Sequence, residues 1–121
     1  MSHKVLIVDD SDIVLSLHAY ILEGVGFRCS CAKNGYLALE MLLREPFHLV
    51  VTDVNMPRMD GYAFTRQLRA TEGCRDVPVI MISTEEEAAD RIKGLEAGAN
   101  VYLVKPTQPA ELVTKVQMLL A

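Results

Sequence analysis

Short apolar runs rich in β-branched residues alternate along this chain with longer stretches in which apolar residues recur every three or four positions. Lys4–Val8 is the first run, continuous rather than alternating, and so suited to a strand covered on both faces. A helix is predicted next, capped by Asp12, with Ile13, Leu17, Tyr20 and Ile21 as its apolar stripe and Gly24 and Gly26 at its end. Phe27 to Ala32 reads as a second strand, and Asn34 opens a helix with Leu37, Ala38, Met41 and Leu42 on one face, Pro46 lying just past it. His48 to Thr52 is a third strand that delivers Asp53, and a loop closed by Pro57 and Gly61 follows. The next helix runs from about Asp60 to Thr71 with Phe64 and Leu68 inward.

Gly73 to Asp76 is a connector, Pro78 opens the strand Val79 to Ile82, and Ser83 ends it. A fourth helix is expected from Glu85 to Ala97. Glu85, Glu86 and Glu87 suit its positive N-terminal pole, Ala88, Ile92 and Leu95 fall at helical spacing, and Gly94 and Gly98 loosen its end. Val101 to Val104 is the last strand, Lys105-Pro106 a turn, and Gln108 to Leu120 the last helix, with Leu112, Val116 and Leu119 apolar. Five strands alternating with five helices predict an α/β fold, a doubly wound (βα)5 parallel sheet covered on both sides. No repeat, linker or low-complexity segment interrupts it, so one domain over residues 1–121 is expected.

Composition changes little in that picture. Half of the 121 residues are apolar and 23% are charged, the mix of an ordinary globular domain. A net charge of -4 argues against nonspecific binding to nucleic acid or an anionic membrane, both of which rely on basic patches. The apolar runs are too short to span a bilayer and no charged-then-apolar leader precedes them, so a cytoplasmic protein without membrane insertion is expected. The three cysteines form an odd set. Cys29 and Cys31 would point the same way from one strand, a poor geometry for a mutual disulfide, and lack neighbouring Cys or His for a metal, so buried, reduced thiols are expected.

The polar residues carry the chemistry. An open parallel sheet binds ligands outside the carboxyl ends of its strands, where strand order reverses. Strand one ends at Asp9 and Asp10, strand three at Asp53, strand four at Ser83 and Thr84, and strand five at Lys105. Strand two ends in Cys31-Ala32-Lys33, which suits an edge. Taken alone, Asp9-Asp10 can be a helix cap, Ser83-Thr84 can cap the next helix, and Lys105 can be a solvated lysine. Their joint placement at four strand ends is what asks for a function. Three converging carboxylates cannot all stay charged without protons or a cation, and a hard divalent ion with oxygen ligands, Mg²⁺, fits them best. Asp10 and Asp53 are expected to bind it directly, with Asp9 direct or through water. Lys105 and Ser83 add a positive charge and a hydroxyl donor for an anionic group. The set suits phosphoryl transfer onto Asp53.

As a set, VLIVDDS at Val5–Ser11, TDVNMPRMDG at Thr52–Gly61, the strand-end hydroxyl of Ser83 and the Lys105-Pro106 pair resemble the receiver domain of two-component response regulators, and especially the single-domain chemotaxis CheY-like type. The resemblance covers Lys4 to Leu120. It implies a flavodoxin-like strand order 2-1-3-4-5 and no attached output domain. It implies that Asp53 is the phosphoacceptor, taking phosphate from a sensor histidine kinase or phosphotransfer protein, and that Asp9, Asp10, Asp53 and the backbone carbonyl of Asn55 hold Mg²⁺. It implies a cis bond before Pro106. Ser83 and Tyr102 match the family's switch pair, in which phosphate draws the hydroxyl inward and lets the aromatic ring turn from exposed to buried, repacking the surface of the fourth helix, fifth strand and fifth helix for a downstream protein target. Asn55 and Glu85 resemble the modulating residues of chemotaxis receivers whose phosphate is short-lived. Ser83 stands where the family often has Thr. The expected domain is a switch rather than an enzyme, although it assists its own phosphorylation and dephosphorylation. It is expected to be a monomer or weak dimer with no direct nucleic-acid contact.

Three rival classes fit parts of the pattern. Asp10-Ser11-Asp12-Ile13-Val14 matches the nucleophile motif of haloacid-dehalogenase-like phosphatases, Mg²⁺ enzymes in which Asp10 would be phosphorylated, but Ser83-Thr84 stands where they need an acidic pair. A flavodoxin-like nucleotide binder would cradle phosphate after strand one, where Asp9-Asp10 would repel it. A phosphorylation-independent adaptor would keep only the fold.

Overall fold

Each of the five apolar runs forms a strand in the computed structural model, which describes residues 3–84 and 88–121, the side chain of Ala88 excepted. The strands are β1 (Lys4–Val8), β2 (Arg28–Ala32), β3 (Leu49–Asp53), β4 (Val79–Ser83) and β5 (Val101–Val104). The helices are α1 (Asp12–Glu23), α2 (Gly35–Arg44), α3 (Gly61–Arg69), α4 (Ala88–Ala97) and α5 (Pro109–Leu119). β3 and β4 each run one residue beyond the sequence expectation, so that Asp53 and Ser83 are the last residues of their strands. Glu85, Glu86 and Glu87, expected to begin α4, lie outside the described residues.

All strands are parallel in the order β2-β1-β3-β4-β5. Alternate side chains feed two cores. Val5, Ile7, Leu49, Val51, Ile80 and Ile82 face α1 and α5, where Leu15, Leu22, Leu112 and Val116 meet them. Leu6, Val8, Val50 and Met81 face the other way, against Ala38 and Leu42 of α2, Phe64 and Leu68 of α3, and Ala97 of α4. Continuous apolar strands are the consequence of covering both faces.

The helices correct four expectations. Ser11, not Asp12, caps α1, its Oγ accepting from Val14 N at 3.3 Å. Asp12 is the first helical residue and pairs with Lys33 at 3.1 Å. Leu15, His18 and Leu22 turn inward while three of the four residues of the expected stripe lie outside, Ile13 81%, Leu17 52% and Tyr20 79% exposed, and Ile21 is half-buried. On α2, Leu37 is exposed and Ala38 and Leu42 are buried. On α4 the small residues Gly94 and Ala97 face the fold while Ile92 and Leu95 are exposed, because close packing over Tyr102 leaves no room for larger side chains. A Cβ on Gly94 would stand 2.7 Å from Tyr102 Cδ2. The three cysteines are free, but only Cys74 is buried; Cys29 is half-buried and Cys31 exposed on the edge strand. Burial pushes the Cys29 thiol up to about 12, with the nearby acid Glu23 adding to it.

The far side of α3 is tied down by Arg69. Its guanidinium donates to the carbonyls of Gly98, Arg75 and Val77 at 2.6–3.0 Å and to Asn100 Oδ1 at 2.9 Å, joining α3, the α3–β4 connector and the α4–β5 turn. Asn100 Oδ1 in turn accepts from Val79 N at 2.8 Å. Replacing Arg69 by Leu keeps the aliphatic stem but strips these carbonyls of a charged donor, at a cost of about 3 kcal/mol. Urea unfolding of Arg69→Leu checks this, and an unchanged midpoint would show that solvent replaces the clamp.

Candidate functional site

Four strand ends meet at one rim of the sheet. β1 and β3 are neighbours, and their register sets Val8 beside Thr52, so Asp9 and Asp53 leave the sheet at the same level. Both are buried, 3% and 6% exposed, whereas Asp10 is exposed. One carboxylate oxygen from each of the three lies within 4.8 Å of the others. Lys105, just past β5, reaches back across the end of β4. Its Nζ is 2.9 Å from Asp53 Oδ1 and 3.3 Å from Asp9 Oδ2.

Local structure fixes each partner. Asp9 Oδ1 accepts from Ser11 N at 2.9 Å, so the turn that leads to the α1 cap also orients the carboxylate. Lys105 N donates to the Ser83 carbonyl at 2.7 Å, and the Lys105-Pro106 bond is cis, as the resemblance implied. After Asp53 the chain folds back on itself: Gly61 N donates to the Val54 carbonyl at 2.8 Å. A Cβ on Gly61 would overlap the Asp53 carbonyl oxygen, so only glycine fits here. Met56 and Met59 plug the loop into the core while Asn55 stays exposed, and Asp60 caps α3 through Ala63 N at 2.8 Å.

Among the sequence-predicted residues, Asp9, Asp10, Asp53 and Lys105 are thus brought together. Ser83 is fully buried at the adjoining strand end, one residue past Ile82, which is in register with Asp53. Tyr102 lies on β5 with its ring buried against α4, 6% exposed. Glu85 lies outside the described residues.

Burial raises the pKa of Asp53, the Lys105 hydrogen bond opposes it, and the charges of Asp9 and Asp10 add to the rise. Burial works against the charge of Lys105, but its hydrogen bond and attraction to Asp53 and its pairing with Asp9 outweigh that and hold its pKa above the ordinary lysine value. Burial is the main cause for Asp53, and the crowding of three carboxylates around one ammonium adds to it. Hard oxygen donors so arranged suit a hard divalent cation that keeps several waters, as Mg²⁺ does.

One neighbour escaped the sequence reading. His18 of α1 is 8% exposed and lines a cleft of about 320 Å³ with Val14, Leu17, Thr84, Lys105, Pro106 and Thr107. Burial lowers its pKa, with Asp9 raising it and Lys105 lowering it. A histidine in what looks like an apolar-patterned helix gives no signal of the strand end it packs beside.

Residues 5–117 match the model of the response regulator receiver domain. The chain belongs to this family. Such receiver domains act as signalling switches rather than enzymes and take phosphoryl groups from histidine kinases. The chain is similar to the probable transcriptional regulator ycf27 of Porphyra purpurea, 40% identical over 117 residues that make up 97% of this chain and 47% of that protein. It is also similar to the transcriptional regulatory protein SrrA of Staphylococcus aureus (strain NCTC 8325 / PS 47), 36% identical over 120 residues, 99% of this chain and 48% of that one. This receiver domain therefore spans about half the length of the curated relatives it matches. Among solved structures, chemotaxis protein CheY4 of Vibrio cholerae superposes with a TM-score of 0.93 at 31% identity, covering 98% of this chain and 99% of that chain. The receiver domain of sensor histidine kinase PA1611 from Pseudomonas aeruginosa PAO1, solved with a magnesium ion in its active site cleft, gives 0.89 at 31% identity, covering 98% and 97%. The expectation of no nucleic-acid contact gains no support from relatives named as transcriptional regulators. No helix of the described residues is long and apolar enough to cross a membrane.

Crowding at the receiver site has a stability consequence. Burial and the neighbouring acids hold Asp53 above its unfolded pKa, so the folded state binds its proton more tightly than the unfolded chain. The carboxyl's favourable contribution is complete below the unfolded pKa and is lost as pH rises through the folded value. Asp53→Asn, neutral at every pH, is therefore expected to melt higher than wild type at pH 7 in metal-free buffer. The difference should shrink as pH falls through the carboxylate range; calorimetry across that range checks it, and an acid-independent difference would refute the electrostatic cause.

Proposed function

We propose that this receiver domain is a phosphoacceptor switch of a two-component system, with Asp53 taking a phosphoryl group from the phosphohistidine of a sensor kinase or phosphotransfer protein. The observation that carries the reading is the Lys105 ammonium set between Asp53 Oδ1 and Asp9 Oδ2 at the rim where three acids converge. A carboxylate oxygen of Asp53 attacks phosphorus, the phosphorus–nitrogen bond breaks, and the imidazole departs with its electron pair. Lys105 then pairs with an oxygen of the new acyl phosphate, and the Ser83 hydroxyl donates to another.

Asp9, Asp10, Asp53 and the backbone carbonyl of Asn55 are the residues that would hold Mg²⁺. When bound, the ion offsets the charge of the acceptor and of the incoming phosphoryl group. Asn55, exposed in the loop after β3, and Glu85 would tune the lifetime of the product. Movement of Ser83 toward the phosphoryl group favours the buried position of Tyr102 and sets the α4-β5-α5 surface, where Ile92, Leu95 and Met118 are exposed, for a protein target of the chemotaxis or phosphorelay kind. The domain would assist its own phosphorylation and dephosphorylation in the cytoplasm.

Mass spectrometry after incubation with acetyl phosphate and Mg²⁺ tests the acceptor: one phosphoryl adduct is expected on wild type and none on Asp53→Asn or after EDTA. An adduct on Asp10 would instead favour the phosphatase chemistry, and no adduct at all an adaptor. Lys105→Met should still bind Mg²⁺ but acquire phosphate about a hundredfold more slowly, the usual effect of losing one charge-stabilising donor. Equal rates would remove Lys105 from the chemistry.

A further inference from the structure

His18 is left over from the chemistry proposed above. It lies on the inward side of α1, 8% exposed, and its ring makes no hydrogen bond to a described residue. A buried imidazole without a partner asks for one. The cleft of about 320 Å³ that it lines opens between α1 and the turn after β5. A second polar group of the same lining, the Thr107 hydroxyl, is also buried with no partner among the described residues. Val14, Leu17 and Pro106 supply apolar walls, and because Leu17 and Pro106 are exposed, the cleft can be entered from solvent. Lys105 lines it too and sets its Nζ 2.9 Å from Asp53 Oδ1, so a molecule in the cleft sits within one lysine side chain of the acceptor. Charge narrows the class of that molecule. Three carboxylates face one ammonium at this rim, which opposes an anion and accepts a neutral ring. Burial lowers the His18 pKa, with Asp9 raising it and Lys105 lowering it, so at neutral pH one ring nitrogen accepts and the other donates. Apolar walls beside an unpartnered nitrogen acceptor suit a small aromatic ring that carries an N–H.

We propose that this cleft seats the imidazole half of the phosphodonor and that His18 is the specificity-determining residue there, accepting a hydrogen bond from the N–H on the far nitrogen of the donor ring. This rests on the reading of Asp53 as the phosphoacceptor and deepens it by giving the leaving group a place and a partner. The phosphorus–nitrogen bond breaks as an Asp53 oxygen bonds to phosphorus, and the electron pair of the broken bond stays on the near nitrogen. The far nitrogen keeps its proton, so the group that departs is neutral imidazole rather than imidazolate, and no proton passes to His18. A ring held through that N–H is kept both in place and in the form that leaves readily. An acyl phosphate has no N–H to offer, and its leaving group is a carboxylate that the acidic rim repels. His18 should therefore raise the preference for a phosphoryl group carried on imidazole by about fivefold, the factor that one net hydrogen bond contributes.

The test follows the Asp53 adduct of the full chain by mass spectrometry over time, with N-phosphoimidazole and with acetyl phosphate, each in the presence of Mg²⁺. The ratio of the two rates is the readout, because a fault in packing or in Lys105 slows both donors alike. His18→Leu fills the site without a nitrogen and should lower that ratio about fivefold. His18→Gln restores an acceptor and should bring the ratio back toward wild type. An unchanged ratio in His18→Leu overturns the proposal, and so does a Gln variant no more selective than the Leu one. Binding is read separately, with imidazole alone titrated at constant pH and no phosphodonor. Of the three histidines, His18 should show a saturable shift of its ring signals in ¹H–¹³C spectra while His3 and His48 stay in place. No saturable shift at His18 overturns the cleft as the seat of the ring. If neither donor marks Asp53 in wild type, the phosphoacceptor reading falls, and the imidazole titration still decides whether the cleft takes the ring.

Discussion

One ammonium between two buried carboxylates is the constraint on which the site depends. Asp9 and Asp53 are nearly inaccessible to water, and a buried charge without a partner is costly. Lys105 supplies that partner only because the sheet brings β5 within reach of β3 across a single intervening strand. The pairing is incomplete by design of the charge count: three acids face one base. That residual negative charge suits a hard divalent ion with oxygen ligands.

The two sides of the sheet divide the labour differently. On the α1 and α5 side, aliphatic side chains fill the core. On the other side, small residues of α4 meet aromatic ones of α3 and β5, and polar atoms enter the packing: Tyr62, Tyr102 and the Arg69 fork. Aliphatic cores tolerate little rearrangement without opening voids. A layer that exchanges hydrogen bonds as well as contacts has more than one way to be satisfied, and it is the layer that adjoins the proposed output face.

The chain matches proteins about twice its length across 97–99% of its own residues. Asp9, Asp10, Asp53, Ser83 and Lys105, the proposed acceptor set, all lie within residues 9–105. Ile92, Leu95 and Met118 are exposed beyond the rim, on the face proposed to dock a target.

The strands and the polar residues at their ends were legible from residue order alone, because a strand covered on both faces must be continuously apolar and a break to Asp or Lys marks where it leaves the core. The rim as a shared site followed from the rule for parallel sheets. Helix faces were not legible in the same way. Ile13, Leu17 and Tyr20 have the spacing of a core stripe, yet the cap at Ser11 and the contacts of Leu15, His18 and Leu22 turn that stripe outward. The exposure of Ile92 and Leu95 depends on Gly94 having to yield to a ring eight residues further on. Periodicity says that a helix has an apolar side; which of two sides faces the sheet is settled by the volume left between particular side chains on other elements. His18 beside the lysine and Tyr62 beside Tyr102 belong to that second kind of information, contacts between residues far apart in sequence that exist only once the layers have closed.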